Sequence, residues 1–335
     1  MSTVFGGLMA RALWTCGASL EPLNRSQTEL AMAQSRCSAK KIKEFRASPA
    51  YHCAKDFLPA VQNESASATP ALHVIVDDAA KVHRLKGVRC ICTRLKPAAG
   101  SLLKVTGCDD AYALTPSQHY VVRARDLDFV GCCLLAMELC GTYLLRPDLP
   151  QGFQTLPKPL SSTPALARQI GRNRGMPGTV QALRALFHAC DGSASPMESA
   201  LVLLLGLPAS VGGYGLPLPQ LNPKVDITTA SSRLLDGVRS VRPDVLWPDA
   251  KVGIEYDSRS FHTQHNADHD RARRTALQTS GIEPISVTPQ LVSDVEAFDE
   301  VAHLVGERLG APVKEPNPHD RETLRQRLLG SHPTW

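Results

Sequence analysis

The chain has 335 residues, a formal net charge of +5 and ten cysteines. That length accommodates two domains with cores of their own, and so mild a charge permits contact with nucleic acid without demanding it. No CxxC pair occurs, Arg11 interrupts a modestly apolar N-terminus, and no apolar run approaches about eighteen residues. The expectation is a cytoplasmic protein with reduced thiols, and no zinc ribbon, disulfide framework, secretory leader or membrane span.

In chain order, residues 26–48 read as one helix. Ser26 caps it, and Lys40, Lys41, Lys43 and Arg46 complement the dipole at its end. Residues 60–70 have the composition of a linker. Short strands are predicted at Leu72–Asp77, Val88–Cys92, Leu102–Val105 and Ala111–Thr115, then a buried helix from Leu127 to Leu145. Residues 150–188 complete a helical bridge bearing Arg168, Arg172, Arg174 and Arg184, for which a solvated face is the simpler reading. The stretches Leu72–Val76, Lys86-Gly-Val and Leu134–Tyr143 resemble the body of abortive-infection-type antitoxin and transcriptional-regulator proteins. That resemblance implies a small strand-rich module that often precedes a nuclease-like domain. No winged helix is recognisable in residues 1–60.

At Asp191 the pattern changes. Ser195, Pro196 and Glu198 spell a helix start, with Glu198 in the first turn where the dipole favours it, and Gly206 ends the helix. A strand at Gln220–Ile227 and a polar loop at 228–241 follow. Arg242 to Asp257 reads as two apolar strands around a turn at Pro248–Lys251. If Trp247 pairs with Val252, Asp244 falls opposite Glu255, and Glu255 and Asp257 share that face because strands alternate. Like charges opposite each other destabilise a hairpin. A hard cation such as magnesium would relieve them, with Asp244, Glu255 and Asp257 as its ligands. An Arg242–Asp257 ion pair on a solvated acidic hairpin accounts for the same residues, and the hairpin alone leaves both open. A helix from Asp268 to Thr279, a strand at Ile282–Thr288 with Pro284 marking an edge, and an amphipathic helix over 290–309 complete the order.

Glu198, Asp244, Glu255-Tyr-Asp257, His262, Asp268, Arg273 and Leu277-Gln-Thr-Ser-Gly281, in this order, resemble the very-short-patch-repair-like branch of the PD-(D/E)XK nuclease superfamily across residues 190–310. The resemblance implies a restriction-endonuclease-like mixed sheet flanked by helices and hydrolysis of a nucleic-acid phosphodiester dependent on Mg2+ or Mn2+. It makes Asp244 and Glu255 metal ligands, gives Glu198 an orienting role and gives His262 proton transfer. Asp257 stands where the superfamily usually has Lys, and Ser258 where the branch favours Gly. A zinc site on His262, His265 and His269 is the weaker reading, since no cysteine lies nearby. Arg259, Arg271, Arg273 and Arg274 are candidate phosphate contacts, with an exposed helix face as their alternative.

The expected fold class is α/β, a C-terminal nuclease-like domain preceded by a smaller α+β domain. The expected division is a helical region at 1–70, an α+β module at 71–150, the bridge at 151–189, the nuclease-like domain at 190–310 and a tail at 311–335. The expected function is a metal-dependent endonuclease acting on DNA in defence, repair or mobile-element biology. The alternative is a non-catalytic antitoxin-like or transcriptional regulator that binds nucleic acid or a protein partner of toxin–antitoxin or defence type. No membrane partner is expected.

Overall fold

The computed structural model describes residues 1–58, 72–93, 98–235, 237–257 and 264–330, and of residues 230, 234 and 264–270 the backbone alone. The chain is mixed α/β and divides into two compact units, one of residues 1–139 and 144–187, the other of residues 140–143 and 188–334.

The first unit begins with β1 (Thr3–Gly6), α1 (Gly7–Thr15), β2 (Leu20–Pro22), α2 (Arg25–Ala33), α3 (Ala39–Arg46) and α4 (Pro49–Ala54). It continues with β3 (Leu72–Val76), β4 (Val88–Cys92), β5 (Leu102–Val105), β6 (Ala111–Leu114), α5 (Pro116–Arg123) and α6 (Phe129–Cys140). A ribbon of β7 (Tyr143–Leu145) and β8 (Phe153–Thr155) and the helices α7 (Thr163–Arg172) and α8 (Thr179–Leu186) follow. Six strands form one mixed sheet in the order β2-β5-β6-β1-β3-β4. β1 lies inside that sheet, parallel to β6 and antiparallel to β3, so the boundary expected at residue 70 would cut through a single sheet. Every residue of β1 is buried, and Phe5 joins Met9, Leu13, Phe45 and Val74 in the core. The expected bridge is not separate either, because α7 packs on α5.

Two predicted helices are shorter than expected. The one at 26–48 is interrupted at residues 34–38, where the buried Ser35 hydroxyl donates to the carbonyl of Ile75, 2.7 Å away. The one at 127–145 stops at Cys140, and Tyr143 begins a strand. Inside the first unit, Arg11 and Glu138 form a buried bidentate pair, at 2.9 and 2.6 Å. A buried charge needs such a partner.

The second unit contains α9 (Pro196–Gly206), β9 (Gln220–Leu221), β10 (Val225–Asp226), α10 (Thr229–Leu234) and β11 (Ser240–Val241). After these come β12 (Val245–Trp247), β13 (Val252–Tyr256), α11 (Gln264–Thr279), β14 (Glu283–Val287), α12 (Pro289–Ser293), α13 (Val295–Leu309) and α14 (Pro318–Leu329). Its main sheet runs β14-β13-β12-β9, with β9, β12 and β13 antiparallel and β14 parallel to β13. β14 is an edge strand, which Pro284 tolerates. The strand expected over 220–227 is split between two sheets, with Asn222 in the left-handed region (φ 48°) at the break. Leu201, Leu204, Val245, Leu246, Val252, Ile254, Leu277, Ile285 and Val287 are all buried. The expected tail carries α14, whose Leu324 and Leu328 are buried and which packs on α9, so it belongs to this unit. No helix among the described residues is long and apolar enough to cross a membrane.

Candidate active site

The hairpin register fixes the site. Trp247 pairs with Val252 and Val245 with Ile254, so one step further Asp244 stands opposite Glu255. The turn closes through the Lys251 amide, which donates to the Pro248 carbonyl at 3.1 Å, with Lys251 at φ 57°. Asp244, Glu255 and Asp257 line a cleft of about 130 Å³, completed by Tyr256, Ser286, Arg273 and Arg274.

The two facing carboxylates are held differently. Asp244 accepts the Tyr256 amide at 2.7 Å, and its carbonyl accepts the Asn222 amide at 3.0 Å. Burial pushes its carboxyl above the usual range, while the Tyr256 amide and Arg273 pull it down. Glu255 faces Arg273, with Nε 3.2 Å from Oε2. Burial pushes Glu255 up to about 7, Arg273 opposes that, and the neighbouring Asp244 adds to it. At neutral pH a carboxyl so placed is divided between its charged and neutral forms.

Glu198 is buried at the start of α9 but does not line the cleft. Its carboxylate accepts the Ala194 amide at 2.8 Å, the Ser195 hydroxyl at 3.0 Å and the Asn222 side-chain amide at 2.6 Å. Ser195 in turn caps the helix by accepting the Glu198 amide at 3.2 Å. This is reciprocal N-terminal capping. Asn222 bonds Glu198 through its side chain and Asp244 through its backbone, and so ties the helix start to the hairpin.

Arg273 and Arg274 both reach the cleft. Arg273 also donates to the carbonyl of Arg242, and Arg274 donates to the Ser286 hydroxyl. Arg271 is exposed on the same helix. Arg242 donates to the Asn222 carbonyl at 2.9 Å. Arg259 and His262 lie outside the described residues, as do the side chains of His265, Asp268 and His269.

No known protein family, curated protein or solved structure matches the chain. The chemistry of this site therefore rests on its own geometry.

The three carboxylates expected as metal ligands line one cleft without forming a three-ligand metal cluster. Among the described residues no three carboxylate, imidazole or thiol groups lie close enough to hold a metal ion. The physical reason is local: Glu255 turns to Arg273, and Asp244 is taken up by the Tyr256 amide. What fits a cation is the pair Asp244 and Glu255. They are hard oxygen donors coupled to each other in an open cleft, suited to an ion that draws its other ligands from water and phosphate.

Tyr256, Ser286 and Asn222 were not singled out from sequence, and Arg273 was expected at a phosphate and not beside Glu255. For Arg273 a signal existed, because it stands one helical turn before the buried Leu277 and so shares its sheet-facing side. Asn222 gave none, since its role depends on a backbone break that no periodicity announces.

Proposed function

We propose that the second unit is a metal-dependent endonuclease of the very-short-patch-repair-like type, with a restriction-endonuclease-like sheet, hydrolysing phosphodiesters of DNA. The observation that carries the reading is the pairing of Asp244 with Glu255 at the floor of a cleft walled by Arg273 and Arg274. Two acids set face to face weaken a hairpin, and an arrangement that costs stability points to function.

Asp244 and Glu255 would hold Mg2+ or Mn2+, which when bound polarises a phosphate and lowers the pKa of water. The remaining work falls to the chain. Arg273 and Arg274 present guanidinium groups to a phosphate in the cleft, and Arg271 extends that basic face. Burial raises the Glu255 pKa to about 7 in the metal-free cleft, and Arg273 favours the charged carboxylate that holding the ion requires. Glu198 acts at a distance, keeping Asp244 in place through Asn222. His262 and Arg259 enter by the sequence resemblance, as a proton-transfer group and a phosphate contact.

One observation favours a second reading. The Arg273–Glu255 ion pair already supplies a cation to the carboxylates, as a nuclease-derived regulator that only binds nucleic acid or a protein partner would require.

The discriminating experiment incubates the purified full chain with duplex DNA, single-stranded DNA and RNA in magnesium, manganese or EDTA, beside Glu255→Gln. Metal-dependent cleavage by wild type, lost in the nearly isosteric variant while binding persists, supports the endonuclease. Equal binding by both proteins and cleavage by neither supports the regulator.

A further inference from the structure

A cluster of positive charge lines a cavity in the first unit. Among the described residues, a cavity of about 460 Å³ is lined by Arg11, Arg89, Arg123 and Arg125 and by His73 and His119, with Asp126 as the one acid. Arg11 is matched by Glu138 and Arg125 by Asp126, at 2.6 and 2.9 Å. Arg89 and Arg123 have no ion pair or hydrogen bond among the described residues. Arg123 is half-buried, and burial draws its pKa down, with Asp126 opposing the shift and Arg11 and Arg89 adding to it. Of the four guanidinium groups that line the cavity, Arg11 is met by Glu138, and the other three share Asp126 as the one acid among the described lining residues.

Two further features point the same way. The first turn of α1 opens on the cavity through Gly7 and Leu8, with no side-chain cap and no acidic residue. Its free amides and dipole favour an anion. Gly7 is at φ 53°, and a Cβ there would come 1.9 Å from His73 Nδ1, so glycine is what lets the imidazole approach this turn. Independently, His119 is 3% exposed and its Nδ1 has no hydrogen-bond partner. Burial and the nearby arginines keep this ring neutral, so it has one N–H to give. A buried polar atom left unpaired costs roughly 1–3 kcal/mol unless a ligand satisfies it.

A second cavity of about 520 Å³ shares Cys92, Val122 and Arg125 with the first and is walled by Val121, Met176 and Pro177. A charged chamber beside an apolar one suits a molecule with an anionic head and an apolar or aromatic body.

We propose that the first unit binds an organic phosphate. Its phosphate sits among Arg89, Arg123 and the first turn of α1, and its body sits in the adjoining apolar chamber. Guanidinium pairs and helix N-termini share a preference for phosphate oxygens, which accept bidentate hydrogen bonds. This site uses none of the residues assigned to the endonuclease, and the two assignments stand or fall separately.

The probes are the four nucleoside monophosphates, the corresponding nucleosides, inorganic phosphate, and an oligonucleotide with or without a 5′-phosphate. Sodium chloride at matched ionic strength serves as the control. Each is added to the full chain, and Tm is measured. At about a hundredfold excess over Kd a bound monophosphate should raise Tm by roughly 5–10 °C, whereas nucleosides and chloride should not. A shift from monophosphates identifies a free small molecule, and a shift confined to the 5′-phosphorylated strand identifies a nucleic-acid end. Both carry the required phosphate. The shift should disappear in Arg89→Gln combined with Arg123→Gln, whose own Tm without ligand should match or exceed that of wild type because cation crowding is relieved. Arg89→Gln alone, at an exposed position, should weaken the shift and guards against a folding defect in the double variant. The proposal is overturned if no phosphate probe moves Tm, if chloride matches the effect, or if both variants keep it.

Discussion

At the residue scale, Glu255 has the environment with the clearest measurable consequence. Its folded pKa, about 7, is above the ordinary value of 4.5 because burial disfavours the anion. Its contribution to stability is therefore fully present below about pH 4.5 and is lost as pH rises through 7. The difference corresponds to about 3 kcal/mol as an upper bound. Glu255→Gln removes the charge and keeps the shape. It should leave stability almost unchanged at pH 4.5 and raise it by about 1–3 kcal/mol at pH 8 in EDTA. Urea unfolding at the two pH values checks this, and a variant less stable at pH 8 would show that Arg273 outweighs burial. Asp244 is shifted in the same direction and steepens the loss of wild-type stability with rising pH. The same residue shows how far sequence reading reached. The alternation of Val245–Trp247 and Val252–Tyr256 with a tight turn between them made the register, and hence the Asp244–Glu255 pairing, legible. The turn of Glu255 towards Arg273 was not, because it depends on a side chain that arrives from the helix after the hairpin.

At the scale of elements, α9 and the hairpin are coupled through Glu198 and Asn222. Glu198→Ala removes three acceptor interactions, leaves the Ala194 amide and the Asn222 side chain without that partner, and should lower stability by about 2–4 kcal/mol. Under the endonuclease reading, Glu198→Gln keeps most of this bonding and should retain more stability than the alanine variant. Thermal melts of both variants decide whether the residue acts first as a cap. An alanine variant that melts with wild type would remove that role. Elements that read as apolar runs bounded by turn residues were legible: β3, β4, β5, β6, β14 and α9. β1 and α1 were not, because a four-residue strand buried along its whole length runs straight into a helix, with neither an alternation nor a turn to separate them. The break between α2 and α3 was hidden for another reason. Its cause is a hydrogen bond from Ser35 to a strand some forty residues away, and tertiary contact overrides local helix propensity.

At the scale of the whole molecule, the second unit is not a continuous piece of chain. Residues 140–143 belong to it, and they bond to its opening segment. The Thr142 amide donates to Ser193 at 2.7 Å, the Gly192 amide to Cys140 at 3.0 Å, and the Tyr143 hydroxyl shares a hydrogen bond with Ser199 at 2.8 Å. A fragment of residues 188–330 lacks all three. Fusing residues 139–144 to its N-terminus through a short Gly/Ser linker should raise its Tm by roughly 5–15 °C. Equal melting of the two fragments would mean that the borrowed segment is dispensable.

That borrowed segment also imposes a timetable. During synthesis Cys140–Tyr143 emerges before its partners at Gly192, Ser193 and Ser199, and residues 144–187 must be made in between. At roughly 5–20 residues per second the wait lasts a few seconds. Only when residue 187 has been made does the first unit have its whole sequence available, and until then Cys140–Tyr143 waits for partners that have not been synthesised. The order of assembly is thus written into the connectivity: the first unit closes around a gap, and the second is completed by returning to a piece of chain already made.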